Sequence, residues 1–226
     1  MMLRTAGGLA ALTCASTYLI GFALLITVFA PLGFGTDEID AAGVAAFIAE
    51  RPGLLIAWNT VIYIVNALAL AVLVVALRQQ IARTLPDAAA LTAAFGLIWA
   101  TLVLGAGMIA NVAVERTHAL AADPGAAIAL WQVLHAVELG LGGGNEIAGG
   151  AWLLAVSLAG RASGIFGRLT AGLGLLTGAA GLLTVLTPMG ETAGAVFGLG
   201  AIVWFVIAGL VLLRGGAGHI GKRPST

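Results

Sequence analysis

The stretch from Trp131 to Gly150, WQVLHAVELGLGGGNEIAGG, carries the residues of this chain whose types and spacing could do chemistry. His135 and Glu138 stand three positions apart, a spacing that brings two side chains together on one helix face. Such a pair can form an ion pair, an oriented base, or part of a metal site. Asn145 and Glu146 follow after a run of glycines. At about 100° per residue, Trp131, His135, Glu138, Gly142, Asn145 and Glu146 fall within one narrow arc of a helix. The back of that helix carries no strongly polar group.

A second segment repeats the habit. In NTVIYIVN, Asn59, Tyr63 and Asn66 share one helical face, and Asn111 adds an amide further along. With a rise of about 1.5 Å per residue, Asn59 and Asn111 are expected level with His135 and Glu138, and Asn66 level with Asn145 and Glu146. The expectation is a polar seam shared by the second, third and fourth helices. It should run from the outer surface to mid-membrane, with the Asn59/Tyr63/Asn66 face meeting the His135/Glu138/Asn145 face.

The surroundings make these side chains expensive. Of 226 residues, 61% are hydrophobic and 9% charged, with a mean hydropathy of +1.09. Soluble domains carry roughly a quarter charged residues, so this composition belongs to an integral membrane protein. A carboxylate at membrane depth costs at least ~2.5–3.5 kcal/mol on insertion scales, and such groups face a bundle interior or a water-filled cavity. Glu146 is therefore expected buried and neutral, and Glu138, one turn from His135, is expected to pair with it. Glutamine would join helices as well as Glu146 without the ionisation problem, so interhelical glue explains the asparagines better than it explains this carboxyl.

Several chemistries are disfavoured. A metal site needs three or four ligands, and the other histidines are His118 in an expected outer loop and His219 in the tail, so no metal or haem is expected and no cofactor is assigned. No serine–histidine or aspartate–aspartate pair lies at membrane depth, and the only lysine is Lys222. The net charge of zero gives no reason to expect a nucleic-acid partner. The single cysteine, Cys14, excludes an intrachain disulfide and reads as a small packing residue.

The elements that must position the seam follow from hydropathy. Stretches near the ~20 residues a bilayer requires occur at about 7–30, 54–77, 88–114, 126–159, 169–186 and 193–213, punctuated by proline and glycine. The fold class expected is all-α: a single polytopic domain over 1–226 with six transmembrane helices in one bundle. Arg4, Arg78, Arg83, Arg161, Arg168, Arg214, Lys222 and Arg223 fall on one side, whereas only Arg51 and Arg116 fall on the other, with most of the acids. Lysine and arginine mark cytoplasmic loops, which places both termini in the cytoplasm. The apolar run after Arg4 exceeds the ~7–15 residues of a signal-peptide core and reads as a permanent span. Thr36–Arg51, with Val44, Phe47 and Ile48 at helical spacing, reads as a short amphipathic outer helix. Residues 214–226 read as a flexible basic tail.

The glycines at 140, 142, 143 and 144 admit two uses. Gly140 and Gly144 have the spacing of close helix packing; alternatively they break the helix and free carbonyls for a binding site. Gly174 and Gly178 repeat the spacing without adjacent polar residues, which favours packing. Glycine-rich faces of this kind could also meet a membrane-protein partner or a second copy of the chain.

The segments AAFIAERPGLLIAWNTVIYIVNALALAVLVVAL, HAVELGLGGGNEIAGGAWLLAVSL and FGLGAIVWFVIAGLVLLR resemble the bacterial multi-pass membrane family known as domain of unknown function 4386. The resemblance implies six spans in a bacterial inner membrane and nothing about substrate. From the residues themselves, the expected function is non-enzymatic: a membrane protein binding a small ligand or partner subunit at the seam of helices 2, 3 and 4. The alternative is a proton-coupled small-molecule transporter that uses Glu146.

Overall fold

The computed structural model describes residues 2–36 and 38–214, and for 143–145, 187 and 191 the backbone alone. The basic tail, Asp37 and the side chain of Asn145 lie outside the described residues. Every regular element among the described residues is helical. Five stretches are long and apolar enough to cross a membrane: Met2–Leu32, Pro52–Ile81, Pro86–Ala119, Pro124–Ala162 and Thr192–Arg214.

The first stretch comprises α1 (Met2–Leu24), a π-helical turn at Leu25–Phe29 and a 3-10 turn at Ala30–Leu32. The short helix α2 (Ala41–Glu50) follows, capped by Asp40, whose side chain accepts from the Gly43 amide at 2.9 Å. The next stretch is α3 (Pro52–Asn59), a π-helical turn at Thr60–Val65, and α4 (Asn66–Ile81). Then come α5 (Pro86–Ala119), α6 (Pro124–Ala162), α7 (Arg168–Leu183) and α8 (Gly190–Arg214).

Three sequence expectations change. First, α7 has 16 residues, about 24 Å at the α-helical rise, short of the ~30 Å hydrocarbon core. Its C-terminal end falls at Leu183, three residues before the expected limit at 186, and a 3-10 turn at Thr187–Met189 follows. Second, Glu115, Arg116 and His118 belong to the last turns of α5 and not to a loop. Apolar packing of Ala113 and Val114 carries the helix past the point where polarity alone would end it. Third, the amphipathic helix is confined to Ala41–Glu50, because Gly33 and Gly35 turn the preceding chain with φ of 81° and 83°. Only glycine takes that region without strain, and a Cβ on Gly33 would also strike the Glu38 carbonyl.

The chain divides into two compact units. Thr17–Ala67 and Thr101–Asn145 form one, here the histidine unit. Leu68–Ala100, with the described residues up to Ser16 and from Glu146 onward, form the other, here the tryptophan unit.

The histidine unit is organised around Phe29, Val44, Ile48, Leu55, Trp58, Ala113, Val114 and Trp131. Val44 and Ile48 are the buried face of α2, with Phe47 packed alongside, so this helix roofs an apolar core as its periodicity anticipates. Trp58 donates from its ring nitrogen to the Gly21 carbonyl at 3.2 Å. In the tryptophan unit, Trp99 packs on Trp152, Phe197 and Phe205, and Trp204 meets Trp152 edge-on. Here α6 and α7 meet almost backbone to backbone. A Cβ on Gly178 would sit 2.8 Å from the Gly150 carbonyl, and one on Gly181 would sit 2.7 Å from the Glu146 carbonyl. Gly178 therefore serves close packing, as does Gly174, although Ser157 and Trp204 stand directly opposite Gly174, so its surroundings are not purely apolar.

Candidate functional site

Helix α6 is continuous through its glycines over 39 residues, so the broken-helix alternative does not hold. Nor do Gly140 and Gly142 pack closely: a Cβ at either position would meet nothing within 4 Å. An unbroken α6 sets His135 one turn before Glu138, and the His135 Nδ1 lies 2.9 Å from Glu138 Oε2. The other carboxylate oxygen, Oε1, accepts from the Tyr63 hydroxyl at 2.8 Å. Glu138 is only 7% exposed. A carboxylate taken this far from water is tolerated where its oxygens are hydrogen-bonded, and here both are. The expected meeting of the Tyr63 and Glu138 faces is present.

Tyr63 reaches Glu138 from inside a π-helical turn. Insertions of this kind widen one turn and recur at functional sites. The bulge is accommodated by Gly107 of α5, where any Cβ would collide with the Tyr63 Cβ. The same turn explains a residue that the helical pattern overlooks. Asn111 donates to Thr60 at 3.2 Å, because the wide turn redirects the residues after Asn59, itself buried. The Asn111 Oδ1 is buried without a hydrogen-bond partner among the described residues.

The imidazole is clamped by aromatic rings. It stacks on Trp131 with centroids 4.6 Å apart and planes 16° from parallel, and Phe34 meets both rings edge-on, each at 6.3 Å. Phe34 comes from the turn between the two positive-φ glycines, a contribution invisible to helix periodicity. When the carboxylate accepts at Nδ1, the neutral ring holds its proton there and presents the Nε2 lone pair. Nε2 has no hydrogen-bond partner among the described residues, and 16% of the side chain is exposed. An oriented imidazole of this kind can accept a hydrogen bond, take a proton, or ligate. Among the described residues no three His, Cys, Asp or Glu side chains converge as a metal-binding group.

Asn66 donates to Thr17 of α1 at 2.7 Å. Glu146 belongs to the tryptophan unit, where it is half-buried. Its Oε1 would stand 3.4 Å from a Cβ on Gly194, and Thr184 lies beside its carboxyl. Two of its neighbours thus come from α8 and from the end of α7, contacts the depth argument does not anticipate. The rise per residue fixes height but not azimuth, and the close α6–α7 packing at Gly150 and Gly181 turns this part of α6 toward α7. His118, expected to be simply solvated, has its Nδ1 3.2 Å from the Ile48 carbonyl; a carbonyl only accepts, so this nitrogen carries the hydrogen.

No protein-family model, no curated protein and no solved structure matches the chain.

Proposed function

We propose that this is a multi-pass inner-membrane protein, of the family it resembles, that binds a small ligand at the His135 centre and does not catalyse a reaction. In this reading α7 is a sixth crossing, its short length accommodated by local thinning of the bilayer. Both termini are cytoplasmic, and the His135 end of α6 faces outward. The observation that carries the proposal is the state of the imidazole. Glu138 and Trp131 hold it rigidly, yet Nε2 is left without a partner among the described residues. Groups fixed in advance by their neighbours lose less freedom on binding. The ligand class that fits is a small molecule with one hydrogen-bond donor and a flat or apolar body to lie against Phe34 and Trp131. Tyr63 bonds the carboxylate and not the ring, so no hydroxyl nucleophile is paired with the base among the described residues. The experiment is a fluorescence titration of the reconstituted protein with a panel of amphipathic amines and alcohols. Quenching of tryptophan emission that is abolished by His135→Ala supports the reading; unchanged quenching in that variant rejects it.

One observation favours a second reading, proton-coupled transport. Glu146 is half-buried in a spanning helix and forms no ion pair among the described residues. Proteoliposomes carrying a pH-sensitive dye separate the two. Proton movement by the parent protein that is lost in Glu146→Gln would replace binding with transport.

A further inference from the structure

A second polar feature belongs to the tryptophan unit. A cavity of about 230 Å3 is lined by Arg4, Gln80, Ser163, Gly164, Ile165 and Leu212. It is smaller than the ~300–1,000 Å3 sites that enclose drug-sized ligands, and suits one compact polar group. Arg4 Nε donates to the Leu212 carbonyl at 2.9 Å and Nη2 to the Val211 carbonyl at 3.2 Å. These carbonyls of the last turn of α8 fix the guanidinium plane, and its Nη1 hydrogens stay uncommitted among the described residues. The Gln80 amide has no hydrogen-bond partner among them, and the Ser163 hydroxyl has only a long 3.3 Å bond to the Gly160 carbonyl. Gly164, at a φ of 77°, would have nothing within 4 Å of a Cβ, so the rim is open there.

The charge is one-sided. Arg78, Arg83, Arg161, Arg168 and Arg214 each stand within three positions of a lining residue, whereas the acid nearest Gln80 in sequence is Asp87. Among the described residues no carboxylate lines the cavity. An anion is therefore the complementary occupant, and a guanidinium with an amide and a hydroxyl matches tetrahedral phosphate oxygens. The cavity also lies where α1 begins and where α4 and α8 end; Met2, two residues before Arg4, and Leu169, four after Ile165, are exposed apolar side chains (89% and 88%). Ends of apolar helices stand at the level of lipid headgroups, and basic pockets between such helices hold anionic ones. We propose that this cavity binds the phosphate of an anionic phospholipid, with Arg4 as the charged contact, Gln80 and Ser163 as neutral donors, and the acyl chains along Met2 and Leu169.

Native mass spectrometry of the full chain, released from micelles containing phosphatidylglycerol or phosphatidylcholine, tests this. The expected result is one retained phosphatidylglycerol and no retained phosphatidylcholine. Arg4→Gln should weaken retention about tenfold, the loss of a charge-assisted contact. The charge-neutral double variant Gln80→Leu/Ser163→Ala should weaken it several-fold, and decides alone if Arg4→Gln does not fold. Arg83→Gln, outside the lining, should leave it unchanged. Equal retention of phosphatidylcholine, an unaffected double variant, or equal weakening by Arg83→Gln would overturn the site, the last by pointing to diffuse attraction. Displacement of the lipid by an equal concentration of inorganic phosphate would overturn the lipid assignment in favour of the free anion.

Discussion

The Tyr63–Glu138 bond is the interaction on which the His135 centre most depends, and a double-mutant cycle isolates it. Tyr63→Phe removes the hydroxyl and keeps the ring, while Glu138→Gln keeps the shape but replaces one accepting oxygen with a donor. The bond is 2.8 Å long to a carboxylate that is 7% exposed. Hydrogen bonds to charged groups contribute about 1.5–3 kcal/mol in soluble proteins, whereas coupling between helices in a membrane averages ~0.6 and reaches ~1.7 kcal/mol. A charged acceptor, a short distance and deep burial place this bond at the upper end of the membrane range. The expected coupling energy is therefore about 1–1.7 kcal/mol, measured by chemical unfolding of the two single variants, the double variant and the parent in mixed micelles. Substitutions that share no interaction add to within about 0.3–0.5 kcal/mol. A coupling energy inside that margin would show that the bond does not hold the centre together, and the reasoning about a preorganised imidazole would fall with it.

Glycine substitutions should separate tight from open positions on the helices. Gly178→Ala puts a methyl group 2.8 Å from the Gly150 carbonyl, where backbone cannot yield cheaply, and should destabilise by roughly 1–3 kcal/mol in the same unfolding assay. Gly140→Ala meets nothing within 4 Å and should be neutral or stabilise by up to roughly 1 kcal/mol through reduced backbone freedom. For orientation, a thiol introduced as Ser225→Cys should react with a membrane-impermeant reagent only after cells are opened, and reaction in intact cells would reverse the topology. Cys14, fully buried, should stay unlabelled in both conditions.

Much of this architecture is written in hydropathy, because a helix that crosses lipid must be apolar for its whole length. The five long helices, the amphipathic face of Val44, Phe47 and Ile48, and the pairing of His135 with Glu138 all follow from local spacing. What spacing could not supply is azimuth and irregular backbone. The π-helical turn at Thr60–Val65 shifts the register that i, i+4, i+7 counting assumes, so Thr60 is the partner of Asn111 and Asn66 is directed to Thr17. Phe34 reaches His135 from a glycine-bounded turn, and no periodic pattern reports on a turn. Glu146 stands near Gly194 of α8 and Thr184, and the glycine contacts that turn this part of α6 toward α7 depend on a partner helix distant in sequence.

Reactivity of His135 toward diethyl pyrocarbonate, which acylates unprotonated imidazole nitrogen, tests the central claim most directly. The protein is treated in right-side-out membranes, digested, and the modified histidines are assigned by peptide mass spectrometry. In the binding reading, an open, outward-facing Nε2 predicts modification of His135 in the folded protein, suppressed by any compound that quenches tryptophan fluorescence in the binding titration. If His135 is modified only after unfolding, Nε2 is not available to a ligand from the outer side, and binding at this centre is contradicted.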